Sequence, residues 1–306
     1  MPYTQDFFNY LLHQKKYSNN TVEAYNSDLS EFRLFLETTY SGTDIDSANE
    51  FMIRSWFAGL MEKGLKPTSI KRKKASLTTY YKYLLKEGIL KKIPSKNITT
   101  PKPEQRLPVF VSEAKIMKLF ESDFFEITDY EKLRDRMILE TFYATGMRVS
   151  ELTELTDSSF DFSNMRVKVL GKRNKERLIP LHPMYIKMAK RYNKIKYETF
   201  EEIKTEGSFF LTKKGKKIYR KLAYRIIFSY LSTVTSMKKK SPHVMRHTFA
   251  THLLNEGAEI NAIKDLLGHS SLAATQLYTH NTIEKLKTVY KNAHPQSQKR
   301  RNNYES

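Results

Sequence analysis

The sequence predicts a mainly α-helical protein of two domains, the second carrying a small antiparallel β-sheet. Three observations lead there. Apolar residues in the first hundred positions recur at steps of three and four, the period of a helix with one buried face. The stretch 97–108 holds Pro101, Pro103 and Pro108 among mostly polar neighbours. Proline fixes φ and removes a donor, so this stretch reads as an extended linker. Met165-Arg166-Val167-Lys168-Val169-Leu170 alternates before Gly171, and Arg177-Leu178-Ile179-Pro180-Leu181 follows, as a β-hairpin with a charged tip would. The expected divisions are a helical domain at 1–96, a linker at 97–108, a larger domain at 109–294 and a polar, fraying tail at 295–306. A chain of 306 residues accommodates two domains of ordinary size.

In chain order, Val22, Tyr25, Leu29, Phe32 and Leu36 fall on one helical face, and Ile53, Phe57 and Leu60 on another. A third helix starts near Thr68, an N-cap after Pro67, with Ile70, Leu77, Tyr81 and Leu84 facing a core. Lys71, Arg72, Lys73 and Lys74 crowd its first turns. Positive charge there opposes the helix dipole, which a nucleic-acid phosphate lying alongside would explain, as would a solvated lysine face. Helical patterns at 112–122 and 131–145 precede the hairpin. Phe209-Phe210-Leu211 reads as a third strand, with a second basic turn at Lys213–Lys217. Helices return from about 219, one of them with Ser241 as N-cap, Pro242 at N1 and a stop at Gly257.

Composition narrows the function. The net charge is +20, and a folded basic protein of this kind normally meets a polyanion, nucleic acid first. Lys and Arg outnumber Asp and Glu by 16 to 10 in residues 1–103 and by 37 to 23 in the rest. Both parts are basic, which suits gripping DNA from two sides better than one basic tail. With 18 Phe and 19 Tyr the chain builds a real core. There is no cysteine, which excludes disulfides, thiol catalysis and cysteine-bound zinc and fits a cytoplasmic location. The first residues lack the basic and apolar regions of a signal peptide, and no run approaches the length of a spanning helix.

The chemistry gathers in a few residues. Arg148 and Arg246 are cations whose planar forks suit the non-bridging oxygens of a phosphodiester. His243 lies three residues before Arg246, so both project from one helical face. It is the expected general base for a tyrosine nucleophile, Tyr278, whose free pKa is about 10. His269 would hydrogen-bond the phosphate, and Lys172 at the hairpin tip would protonate the leaving oxygen. Two arginines and a lysine supply the charge, so neither metal nor cofactor is called for. Taken singly, each residue has a plainer role. Arg148 suits a helix-surface ion pair with Glu151 or Glu154, and Tyr278 is one of many tyrosines. His243, His247 and His252 share a helical stretch but lack a zinc motif. Arg173 and Lys175 share the tip with Lys172 and are assigned, with Lys71–Lys74, to DNA binding.

Two blocks carry a family pattern: Thr145-Gly146-Met147-Arg148-Val149-Ser150-Glu151-Leu152, and His243-Val244-Met245-Arg246-His247 through Leu267-Gly268-His269 to Tyr278-Thr279-His280. With Gly171-Lys172 through Arg177, they resemble the phage integrase-like tyrosine recombinases, and within them the Xer site-specific recombinases. The resemblance implies a two-domain DNA clamp, with 1–96 as core-binding domain and 109–294 as catalytic domain. It implies a 3′-phosphotyrosine at Tyr278, and catalytic roles for Arg148, Lys172, His243, Arg246 and His269. It further implies four protomers, of this chain or with a related recombinase, joining two double-stranded DNA sites. A DNA translocase would activate them, and the task would be chromosome dimer resolution at cell division. The segment Ile283–Ala293 would be donated to a neighbouring protomer. A mobile-element integrase and a catalytically silent DNA-binding regulator are the alternatives.

Overall fold

The computed structural model describes residues 3–101, 109–122, 129–171, 176–201 and 207–268. The chain divides into two compact units, Met1–Arg106 and Leu107–Ser306.

In the first unit, helix α1 (Thr4–Asn9) runs on through a π-helical turn at Tyr10–Gln14. It is followed by α2 (Asn19–Thr39), α3 (Glu50–Glu62) and α4 (Pro67–Lys86). Ser18 and Asn49 start α2 and α3 by accepting the amides of Thr21 and Met52, which would otherwise lack helical partners. The helical periodicity holds: Leu29, Phe32, Leu36, Ile53, Phe57, Leu60, Ile70, Leu77, Tyr81 and Leu84 are buried in one core, and Tyr25 is half-buried against it. Helix α4 begins two residues earlier than expected. Lys66 is its N-cap and Pro67 occupies the first turn, where a missing N–H costs nothing.

The run Lys71–Lys74 does not form one outward basic face. Four consecutive helical residues spread over about 300° of the helix, so one must face inward. That residue is Lys73, whose ammonium donates to Asp28 at 3.1 Å and Glu31 at 2.6 Å. It also lies 5.7 Å from the Trp56 ring centre. Asp28 is wholly buried and further accepts from Arg72 and Ser76. A buried carboxylate needs such partners, so Lys73 is an interior counter-charge rather than a phosphate contact. Lys74 donates to the Ile98 carbonyl, and Lys71 is exposed.

The second unit contains α5 (Glu113–Glu121), α6 (Tyr130–Thr145) and the short α7 (Val149–Leu152). The sheet follows, then α8 (Pro183–Thr199), α9 (Arg220–Val234), α10 (Pro242–Asn255) and α11 (Ile260–Leu267). Helix α6 is buried without interruption from Met137 to Thr145 and so forms the centre of the core. The sheet is antiparallel in the order β1 (Phe160–Asp161), β2 (Arg166–Leu170), β3 (Glu176–Pro180). The expected hairpin is present, with Val167 opposite Ile179 and Val169 opposite Arg177.

Its third strand is β1, not Phe209–Leu211. Those three residues are all buried, so they lack the alternation of a sheet with one wet face. The flanking Ser208 and terminal Leu211 make only isolated bridges, to Thr156 and Lys217. The Phe209 ring packs 4.1 Å from that of Phe160. The basic turn after it closes where Thr212 N donates to the Lys216 carbonyl at 2.7 Å. Helix α10 starts and stops as expected: Ser241 accepts the Val244 amide, Pro242 follows, and Gly257 takes φ +84°. Among the described residues no helix is long and apolar enough to cross a membrane.

Candidate active site

The site begins where α6 stops. Gly146 closes that helix in the left-handed conformation, φ +57°. A Cβ there would lie 2.4 Å from Phe249 Cδ1 and 2.7 Å from Leu267 Cδ2, so α10 and α11 approach the turn too closely for any side chain. Two residues on, Arg148 is the extended N-cap of α7. Its amide donates to Glu151 Oε2 at 2.7 Å and its Nη1 to Glu151 Oε1 at 2.8 Å. An acid at the third helical position commonly bonds back to the cap amide in this way.

The Arg148–Glu151 pair is the plain ion pair that spacing allowed, but it is not a surface pair. The Glu151 side chain is 4% exposed and also receives Arg177 from β3: Nη1 on Oε1 at 3.1 Å and Nη2 on Oε2 at 2.8 Å. Burial pushes the Glu151 carboxyl up. The bonds and charge of Arg177, joined by those of Arg148, outweigh this and hold it below the usual carboxylate range.

Arg246 enters from α10. Its Nη1 donates to the Gly146 carbonyl at 2.8 Å and its Nη2 to the Leu267 carbonyl at 2.7 Å. Burial, then the nearby Arg148 charge, lowers it to about 10, with Glu151 opposing. It stays cationic at neutral pH. Two guanidinium groups held beside each other in a half-buried place are poised for a polyanion. A phosphate bound between them would relieve their mutual repulsion. His243, the second residue of α10, is exposed one turn before Arg246.

The structure thus gathers Arg148 and Arg246, with His243 a turn away on the same helix. Lys172, Arg173, Lys175, His269 and Tyr278 lie outside the described residues, as do Ile283–Ala293 and the tail. Gly171 and Gly268, the immediate neighbours of Lys172 and His269, are described. Gly268 closes α11 at φ +64°, and its carbonyl lies 3.5 Å from Arg148 Nη2. His252 faces the core, its Nδ1 3.0 Å from the Tyr143 hydroxyl. No group of three or more metal-ligating side chains occurs among the described residues.

Sequence reasoning missed Glu151 and Arg177 as members of the site. Both left a signal. Glu151 stands three residues after Arg148, the spacing of a helix cap and the acid that bonds back to it. Arg177 takes an inward position in the alternation of β3, in the same row as Ile179.

Residues 114–285 match the model of the phage integrase family, and residues 4–88 that of the phage integrase N-terminal SAM-like domain. The chain belongs to the phage integrase family, the tyrosine recombinases. Similar members include the tyrosine recombinase XerC of Chlorobaculum parvum, 34% identical over 95% of this chain and 94% of that one. The tyrosine recombinase XerC of Pediococcus pentosaceus is 37% identical, over 95% and 97%. Among solved structures, the XerH site-specific recombinase in a post-cleavage complex with palindromic difH substrate aligns with a TM-score of 0.69. It shares 22% identity, over 88% of this chain and 79% of that one. A lambda integrase tetramer bound to a Holliday junction aligns with a TM-score of 0.65 at 17% identity, over 89% and 75%. These two share the family fold.

Proposed function

We propose that the protein is a site-specific DNA recombinase that cuts and rejoins strands through a 3′-phosphotyrosine, and that it resolves chromosome dimers at cell division. The observation that carries this reading is the pair Arg148 and Arg246, oriented side by side by buried acceptors. Their forks bind the non-bridging oxygens of the scissile phosphate and favour the five-coordinate transition state. Each is expected to contribute on the order of 3 kcal/mol. Tyr278 Oη attacks phosphorus, and a new O–P bond forms as the bond to the 5′ oxygen breaks. His243 accepts the phenol proton, Lys172 protonates the departing 5′ oxygen, and His269 hydrogen-bonds the phosphate. The energy of the broken bond stays in the phosphotyrosine. A 5′ hydroxyl from another strand reverses the step, with no need for ATP or metal.

Around that chemistry, residues 1–96 form the core-binding domain, 97–108 the linker, 109–294 the catalytic domain and 295–306 a polar tail. Lys71, Arg72, Lys74, Arg173 and Lys175 meet the DNA backbone. Four protomers, of this chain or with a related recombinase, join two double-stranded sites in the cytoplasm, and a DNA translocase triggers exchange. XerC relatives aligned along nearly their whole length support the chromosomal role over that of a mobile-element integrase.

The test uses a nicked suicide duplex bearing the site mapped by footprinting. A covalent adduct should appear on denaturing gels, survive EDTA and vanish in Tyr278→Phe. Arg148→Ala and Arg246→Ala should lower its rate by roughly a hundredfold or more while gel-shift affinity holds. DNA binding without an adduct on the mapped site would make the chain a silent regulator. An EDTA-sensitive adduct would overturn the metal-free step.

A further inference from the structure

One group in the second unit is built into the site without facing the substrate. Arg177 lies on β3 at an inward position, its side chain 5% exposed. No phosphate reaches it there. Yet among the described residues its side chain bonds to parts of the clamp. Nη1 and Nη2 take both oxygens of Glu151, and Nε donates to the Leu266 carbonyl at 2.8 Å.

The end of α11 shows what this achieves. Three successive carbonyls, of Leu266, Leu267 and Gly268, receive Arg177, Arg246 and Arg148 respectively. A helix C-terminus leaves its last carbonyls without helical partners and carries partial negative charge. Here those orphaned acceptors are divided among three guanidinium groups from three separate elements. Gly268 lies against the Arg177 side chain. A Cβ there would stand 3.2 Å from Nη1 and 3.3 Å from Cδ.

We propose that Arg177 is a positioning residue for the phosphate clamp: it holds Glu151, and through it Arg148, against the end of α11 without touching DNA. Glu151 has four donors, two from Arg148 and two from Arg177. Among the described residues, the charged groups facing it are Arg148 from its own turn, Arg177 from β3 and Arg246 from α10. Removing Arg177 leaves a buried carboxylate with half its donors. It then either spends its charge on Arg148, which dulls the clamp, or takes a proton and releases Arg148. Arg177 also keeps the cluster strongly positive, since one carboxylate would otherwise cancel one of the two clamp cations.

This inference rests on the recombinase reading, and the experiment separates the two. The full chain, Arg177→Met, Arg177→Lys and the double variant Glu151→Gln/Arg177→Met are compared on the same suicide duplex across pH. Arg177→Met should form adduct ten to a hundredfold more slowly, the range typical of partners that orient a reactive residue, with affinity near that of the unaltered chain. The acid limb of its rate profile should move to higher pH, because Glu151 has lost the partner that opposed burial. The double variant should lack that moved limb, since glutamine does not titrate. Arg177→Lys should recover part of the rate, restoring charge without the fork. An unchanged rate and profile in Arg177→Met would overturn the proposal alone. So would loss of rate, affinity and melting temperature in step, unrescued by lysine. Should Arg177→Met not fold, a full rate in Arg177→Lys would overturn it, because lysine cannot make the two-pronged bond. An unaltered chain that forms no adduct refutes the recombinase reading itself.

Discussion

Gly146→Ala tests the junction on which the clamp is built. Two costs add. The backbone stands at φ +57°, a conformation that costs an L-residue about 1–2 kcal/mol. The new methyl would sit 2.4 Å from Phe249 and 2.7 Å from Leu267, and forcing a methyl into a filled core costs about 1–3 kcal/mol more. The sum is about 2–5 kcal/mol, which in a unit of this size lowers the melting temperature by roughly 4–20 °C. Gly257→Ala is the matched control in the same unit. It has φ +84° and nothing within 4 Å of its Cβ, so it carries the backbone cost alone, about 1–2 kcal/mol. Scanning calorimetry of the full chain reads both. Adduct formation should also fall in Gly146→Ala, because the carbonyl that orients Arg246 moves with the turn. If Gly146→Ala melted no lower than Gly257→Ala, Phe249 and Leu267 would be yielding freely, and the claim of close approach would be wrong.

Asp28→Ala should destabilise the first unit by about 3–5 kcal/mol, because it strands a buried Lys73 with one half-exposed partner. Trp56, the single tryptophan, sits beside Lys73 and reports the transition by fluorescence, and an unshifted urea midpoint would refute the counter-charge role. Burial lowers the His252 pKa from its ordinary 6.5. The unfolded chain therefore binds that proton more readily than the fold does. This stability contribution is complete above about 6.5 and declines as pH falls from there toward the folded value. His252→Gln should flatten that part of the melting-versus-pH curve, and an unaltered slope would exclude it. DNA affinity should fall about 10⁴-fold between 50 and 200 mM salt if about eight phosphates are neutralised, and a flat response would remove the electrostatic basis of binding.

The helices were legible because their apolar stripes follow the helical period, and their ends because Ser241, Pro242 and Gly257 have one favourable place each. The hairpin was legible from alternation before a glycine. The third strand was misplaced because Phe209–Leu211 is apolar throughout, and hydrophobicity alone does not distinguish a strand from a buried irregular segment. Phe160–Asp161 is too short to show any period. Arg148, His243 and Arg246 were readable as a group, and the structure brings Arg148 and Arg246 to the end of α11 with His243 a turn away on α10. Lys73 was misread because a run of basic residues at a helix start does not show which of them turns inward. Arg177 was overlooked for the complementary reason: within a basic run it looks like one more surface cation, and only its pairing with Glu151 sets it apart.

The three arginines are tied to α11 through main-chain oxygens rather than side chains. Point mutations at 266 and 267 therefore leave every acceptor in place, so long as the helix keeps its seat. Relatives can drift in this segment and retain the arrangement, much as a keyhole survives repainting of the door. The vulnerable position is Gly268, where any other residue takes on the cost of φ +64° and sets its Cβ 3.2 Å from the Arg177 guanidinium.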